Sequence, residues 1–139
     1  MEDRKIKDIY GCDYIQDNGE LYPLQRWYNQ IIDKSVSEIS VADVLRMMRQ
    51  NEFMELAISR AIAFLRENPF EGELYEGELL EKVSTIENHL IKDYLDDFRH
   101  VLVHAKKENE VYEWLIEKER EEFQELIDNF SRMIDAFYN

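Results

Sequence analysis

Two of the four glycines and one of the two prolines of this 139-residue chain lie in one stretch, Pro69-Phe70-Glu71-Gly72-Glu73-Leu74-Tyr75-Glu76-Gly77-Glu78-Leu79-Leu80. Glycine and proline are the residues that punctuate secondary structure. A chain with so few has little means of making the tight turns of a sheet, and no segment alternates apolar and polar residues at period two. Outside this stretch the apolar residues recur at spacings of three and four. The expected fold is all-α, a single-domain bundle of about five to seven helices over residues 1–139, with one required corner at 69–80.

Along the chain, residues 1–20 are weakly patterned. A short helix is expected from Arg4 to Ile9, with turns at Gly11, Asp17, Asn18 and Gly19. Pro23 suits a first helical turn because its missing N–H would be unpaired there anyway, and Leu24, Trp27, Tyr28 and Ile31 follow at helical spacing. Ser40 is an expected N-cap, with Asp43 placed to complement the exposed N–H groups. A further helix should run to about Glu67, ending where Asn68 precedes Pro69. Residues 78–105 carry no helix breaker and read as one long helix or as two meeting near Thr85–His89. Lys106 to Asn109 is expected as a turn. A last helix should then run from Glu110 to Phe137 on Val111, Trp114, Leu115, Phe123 and Ile127, with its 117–122 segment in solvent. In the corner, Gly72 and Gly77 are expected to take positive φ, while Phe70, Leu74 and Tyr75 plug the core.

Charge sets the partner class. Thirty-one acidic residues against 17 basic give a formal net charge of −14, which repels nucleic-acid backbones and anionic membranes and attracts basic protein surfaces. The lone cysteine, Cys12, excludes an intrachain disulfide and a cysteine-based zinc site. With no apolar run behind the N-terminus and none long enough to span a bilayer, the protein is expected to be soluble and cytoplasmic.

Catalytic constellations are sparse. Cys12 has no cation placed to lower its pKa, the serines lack a triad-like context, and carboxylates occupy the loop where a phosphate cradle needs bare backbone N–H groups. His100 and His104 share a helical face with Asp97 and Asp93, a spacing that can present two imidazoles and a carboxylate to zinc. Asp97-Phe98-Arg99-His100 is a relative of the Glu-x-x-His element of di-iron bundles, but no second such element occurs. A metal-binding bundle using His100, His104 and Asp97 is therefore the alternative to a non-enzymatic binding protein, with a generic acidic adaptor as a third reading. The primary expectation is no enzyme, no cofactor and no metal.

Three segments in order carry a resemblance: Leu21-Tyr22-Pro23-Leu24-Gln25-Arg26-Trp27-Tyr28, then Ile39-Ser40-Val41-Ala42-Asp43-Val44-Leu45-Arg46-Met47-Met48-Arg49-Gln50, then Asn68 to Leu80. Together, over roughly residues 20–105, the chain resembles a family of bacterial immunity proteins of contact-dependent growth inhibition and related polymorphic toxin systems. The resemblance implies a cytoplasmic antidote that binds the C-terminal domain of a cognate toxin, often a nuclease and here of ribonuclease type. The charge agrees independently, because an antidote that fills a phosphate-binding cleft must offer carboxylates in place of phosphates. The candidate toxin contacts are Glu71, Glu73, Tyr75, Glu76 and Glu78 of the corner and the acidic ridge Asp93, Asp96 and Asp97, since charged and aromatic groups commonly anchor such interfaces.

Overall fold

The structure is a computed structural model that describes residues 3–16 and 19–138. In order, its helices are α1 (Ile6–Tyr10), α2 (Pro23–Ile31), α3 (Val41–Arg49), α4 (Met54–Glu67), α5 (Glu78–Val83), α6 (Asn88–Ile91), α7 (Leu95–Val111) and α8 (Glu117–Ala136). A 3-10 turn at Lys92–Tyr94 joins the single turn of α6 to α7. Counting α6 as the lead-in to α7, the described residues form seven helices and no β-strand. Their only bridge pairs Lys5 with Ser35. The bundle is all-α.

Local chemistry accounts for several boundaries. Pro23 opens α2, and the Gln25 side chain accepts a hydrogen bond from the Tyr22 amide at 2.9 Å. Ser40 and Asp43 cap α3 reciprocally: Ser40 Oγ accepts from the Asp43 amide at 3.1 Å, and Asp43 Oδ2 accepts from the Ser40 amide at 3.0 Å. These bonds satisfy two donors that the first turn leaves unpaired. α4 has no side-chain cap. Instead the Leu56 amide in its first turn donates to the Tyr10 hydroxyl of α1 at 3.2 Å.

The weakly patterned N-terminal segment is docked, not loose. Ile6 is fully buried, its amide donates to Lys34 O, and the Lys7 amide donates to Ile32 O. Farther on, the Asn29 side chain holds both the amide and the carbonyl of Ile15. Asp17 and Asn18, expected in a turn, lie outside the described residues.

α7 packs along α8 and α3 along α4, while α4 bridges to α5 and α7. Phe98 and Phe130 meet across α7 and α8 with ring centroids 5.3 Å apart, and Met47, Ile58, Leu65, Leu79 and Leu80 fill the core where α3, α4 and α5 converge. Each such side chain stabilises the fold by about 1.5–3 kcal/mol through burial.

One expected boundary moves and one open choice is decided. Residues 78–105 are interrupted, as in the reading of two helices meeting near Thr85–His89: α5 ends at Val83, α6 begins at Asn88, and Ile86 between them is buried. The expected turn at Lys106–Asn109 is helical: α7 continues to Val111, and the last helix begins at Glu117, not Glu110. Asn109 is the cause. It is 1% exposed and bonded to α8, so it belongs inside the bundle and not in a surface turn.

Candidate functional site

The corner between α4 and α5 is a loop closed by its own polar groups. Asn68 Oδ1 accepts from the Phe70 amide at 3.0 Å, the Gly77 amide donates to Phe70 O at 2.8 Å, and the Leu79 amide donates to Glu71 O at 3.0 Å. The Glu78 carboxylate turns inward, accepting from the amides of Glu73 at 2.7 Å and Leu74 at 2.9 Å. Glu78 is only 9% exposed. A carboxylate accepting two amide bonds within a loop is a strong organiser of backbone.

The two glycines act by different means. Gly77 has φ +89°, a conformation that favours glycine, and its α-carbon lies so close to the Phe123 ring that a Cβ would stand 2.9 Å from it. Gly72 does not have the expected positive φ. It is required by close approach, since a Cβ there would come within 2.0 Å of the Tyr75 carbonyl oxygen. The apolar residues also divide differently from expectation. Phe70 is buried, but Leu74 is 77% exposed and Tyr75 half exposed, so only Phe70 plugs the core.

Phe70 enters an aromatic cluster built mostly from the far end of the chain. Its ring stacks on Tyr112 at 3.8 Å and meets Trp114 edge-on at 5.5 Å and Phe123 at 5.1 Å. The Tyr112 hydroxyl donates to the Glu76 carboxylate, which clasps the corner to the linker between α7 and α8. This bond to a carboxylate, aided by burial, pushes the Tyr112 hydroxyl up to about 12 from its ordinary 10.0.

Asn109 is the polar hub behind the cluster. Its side-chain amide donates to Arg120 O and Gln124 Oε1, and its Oδ1 accepts from the Trp114 indole at 2.8 Å. Arg120 donates in turn to the carbonyls of Asn109 and Tyr112 while its Nε donates to Glu117 at 2.9 Å. Arg120 is therefore half-buried, although the 117–122 segment was expected in solvent.

The sequence reading missed Asn109, Tyr112, Trp114 and Arg120 as a unit. A signal was present in Val111-Tyr112-Glu113-Trp114-Leu115-Ile116, where apolar residues come too densely for one helix to bury. The structure breaks the helix there. Val111 and Leu115, expected as core anchors, are instead 76% and 98% exposed, because the linker turns only Tyr112 and Trp114 inward.

The expected contact residues fall into two separate groups. Glu71, Glu73, Tyr75, Glu76 and Glu78 surround the corner, where Glu73, Tyr75 and Glu76 are exposed, Glu71 is half-buried and Glu78 is internal. Asp96 and Asp97 stand in the first turn of α7, with Asp93 just before it. Glu76 meets Tyr112, just past the other end of that helix, so the two groups are separated by ~24 Å along its axis.

The ridge is partly engaged. Asp97 pairs with Arg66 of α4, and Asp96 accepts from the Tyr138 hydroxyl at 3.0 Å. Arg99 lies 3.7 Å from the Tyr138 ring and pairs with Asp135 at 3.2 Å. His100 Nδ1 is 2.8 Å from the Asp96 carbonyl oxygen. Asp97 is thus drawn toward α4, and among the described residues no three His, Cys, Asp or Glu side chains converge to hold a metal ion.

Among the described residues, no helix is long and apolar enough to cross a membrane. No curated protein matches the chain. The family model for CDI immunity proteins matches residues 8–101, which take in the corner and all of α2 to α6. The chain belongs to the CDI immunity proteins, the immunity family of contact-dependent growth inhibition.

Proposed function

We propose that this immunity protein neutralises a nuclease toxin domain, of ribonuclease type, by covering its basic active-site cleft, and that it acts in the cytoplasm with no chemistry of its own. The observation that carries this reading is the acidic excess of the chain, a formal net charge of −14, with the Glu73 and Glu76 carboxylates exposed on a rigid corner. A cleft that binds phosphates is lined by Lys and Arg. Carboxylates presented from fixed backbone can occupy it without a large ordering cost. Glu71, Glu73, Tyr75 and Glu76, together with Asp93, Asp96 and Asp97, are the candidate contacts, and Glu78 supports the corner from inside.

The test is co-expression with the C-terminal domain of the cognate toxin, then purification and an RNA-cleavage assay of the toxin domain titrated with this protein. A stable complex with stoichiometric loss of cleavage is expected. Cell death despite co-expression and no recoverable complex would refute neutralisation, and a toxin domain that cleaves no nucleic acid would refute the nuclease reading. Charge reversal at Glu71, Glu73, Glu76, Asp93, Asp96 and Asp97, with Tyr75→Ala, identifies which group makes contact.

A further inference from the structure

A solvent-exposed apolar knuckle stands at the α7–α8 linker. Val111, Leu115 and Ile116 are 76%, 98% and 61% exposed. Three large apolar side chains exposed within one short, fixed turn mark an interaction surface more than they serve a monomer. The turn is fixed by the inner faces of the same segment: the Trp114 indole bonds Asn109, Arg120 bonds the Tyr112 carbonyl at 2.8 Å, and the Tyr112 hydroxyl bonds Glu76. Docking on it therefore carries little ordering cost.

Beside the knuckle, between the corner and the first half of α8, runs an open groove of about 380 Å³. Trp114 and Phe123 contribute aromatic surface to it, and Glu76, Glu81, Glu119, Glu122 and Glu125 line it. None of its lining residues is Lys, Arg or His. Of these acids, Glu122 makes a loose ion pair with Lys118 at 3.9 Å. On the α7 ridge, by contrast, Asp97 is already paired with Arg66 and Asp96 already accepts from the Tyr138 hydroxyl. A groove with aromatic surface and acidic lining complements the long apolar stem and cationic head of an Arg or Lys side chain.

We infer that the knuckle and this groove form the docking surface for the cognate toxin domain, with Val111, Leu115 and Ile116 meeting an apolar patch on the toxin and the groove receiving a basic segment beside it. The inference rests on the toxin-neutralising reading and places its principal contact at α8 and the corner, not at the Asp93–Asp97 ridge. Most of this surface lies in the C-terminal third of the chain, beyond the family-matched residues 8–101.

The experiment measures binding of purified toxin domain to four forms of the full chain. These are wild type, Leu115→Asp, the triple variant Glu119→Lys/Glu122→Lys/Glu125→Lys, and a charge-matched triple variant Asp8→Lys/Glu20→Lys/Glu67→Lys on exposed positions elsewhere. Leu115 is almost wholly in solvent, so its replacement leaves the fold intact, and thermal melts verify this for each form. The expected result is a loss of affinity of about 30-fold or more for Leu115→Asp and for the groove variant, the size of a hot-spot loss, with a much smaller loss for the charge-matched variant. Wild-type affinity in both Leu115→Asp and the groove variant overturns the inference while leaving neutralisation intact. Equal losses in both triple variants, with none in Leu115→Asp, reduce the groove to bulk charge and also overturn it. A chain that dimerises through Leu115 without affecting toxin binding overturns it in favour of a second copy as occupant. Failure of wild type to bind or protect refutes the neutralising reading itself.

Discussion

In the sequence Glu78 is one more acid of the corner, with nothing to separate it from Glu73 or Glu76. What separates them is direction. Glu78 begins α5, so its side chain reaches back over the loop to the amides of Glu73 and Leu74. Glu78→Ala leaves both donors without their acceptor and is expected to destabilise the fold by ~1–3 kcal/mol, read as a lower denaturation midpoint. Glu78→Gln, which keeps an acceptor oxygen, should cost less. Tyr112 gives a second test. Its folded-state value lies above the ordinary one, so the stability from its bond to Glu76 is whole below pH 10.0 and is lost as pH rises through about 12. A spectrophotometric titration should show a late tyrosine that Tyr112→Phe removes, and this variant's stability should fall less over that alkaline window than the wild type's.

Among the helices, α2, α3 and α4 follow from signals inside a few residues: Pro23 at the start of α2, the Ser40–Asp43 box of α3, and Asn68 before Pro69 at the end of α4. The α7–α8 linker does not. Lys106-Lys107-Glu108-Asn109 has the composition of a turn, yet Asn109 gains partners on α8 and in the linker that outweigh its local preference for irregular backbone. Asn109→Leu removes the acceptor of the Trp114 indole and a donor to Arg120 and Gln124, at an expected ~1–3 kcal/mol. It should also speed amide hydrogen exchange in residues 112–116 more than in α3 or α4. Unchanged exchange there would mean that the hub does not hold the linker.

For the molecule as a whole, net charge predicts how it meets its partner. Association with a basic toxin domain should slow by about tenfold or more as ionic strength rises from ~10 mM to ~1 M, over which the Debye length falls from ~30 to ~3 Å. Stopped-flow rates check this, and a salt-independent rate would remove steering from the account. The helical class, the acidic character and the corner at 69–80 were all written in composition, period and glycine placement, because these depend on residues near one another in the chain. The membership of the aromatic cluster, the inward turn of Glu78, the separation of the two acid groups along α7 and the exposure of Leu115 came only with the packed structure. Each depends on residues such as Phe70 and Tyr112, or Asp97 and Arg66, that are distant in sequence and are brought together when apolar faces bury against one another. Local patterning specifies which faces are apolar, and packing alone decides which carboxylates and side chains remain free to meet a partner.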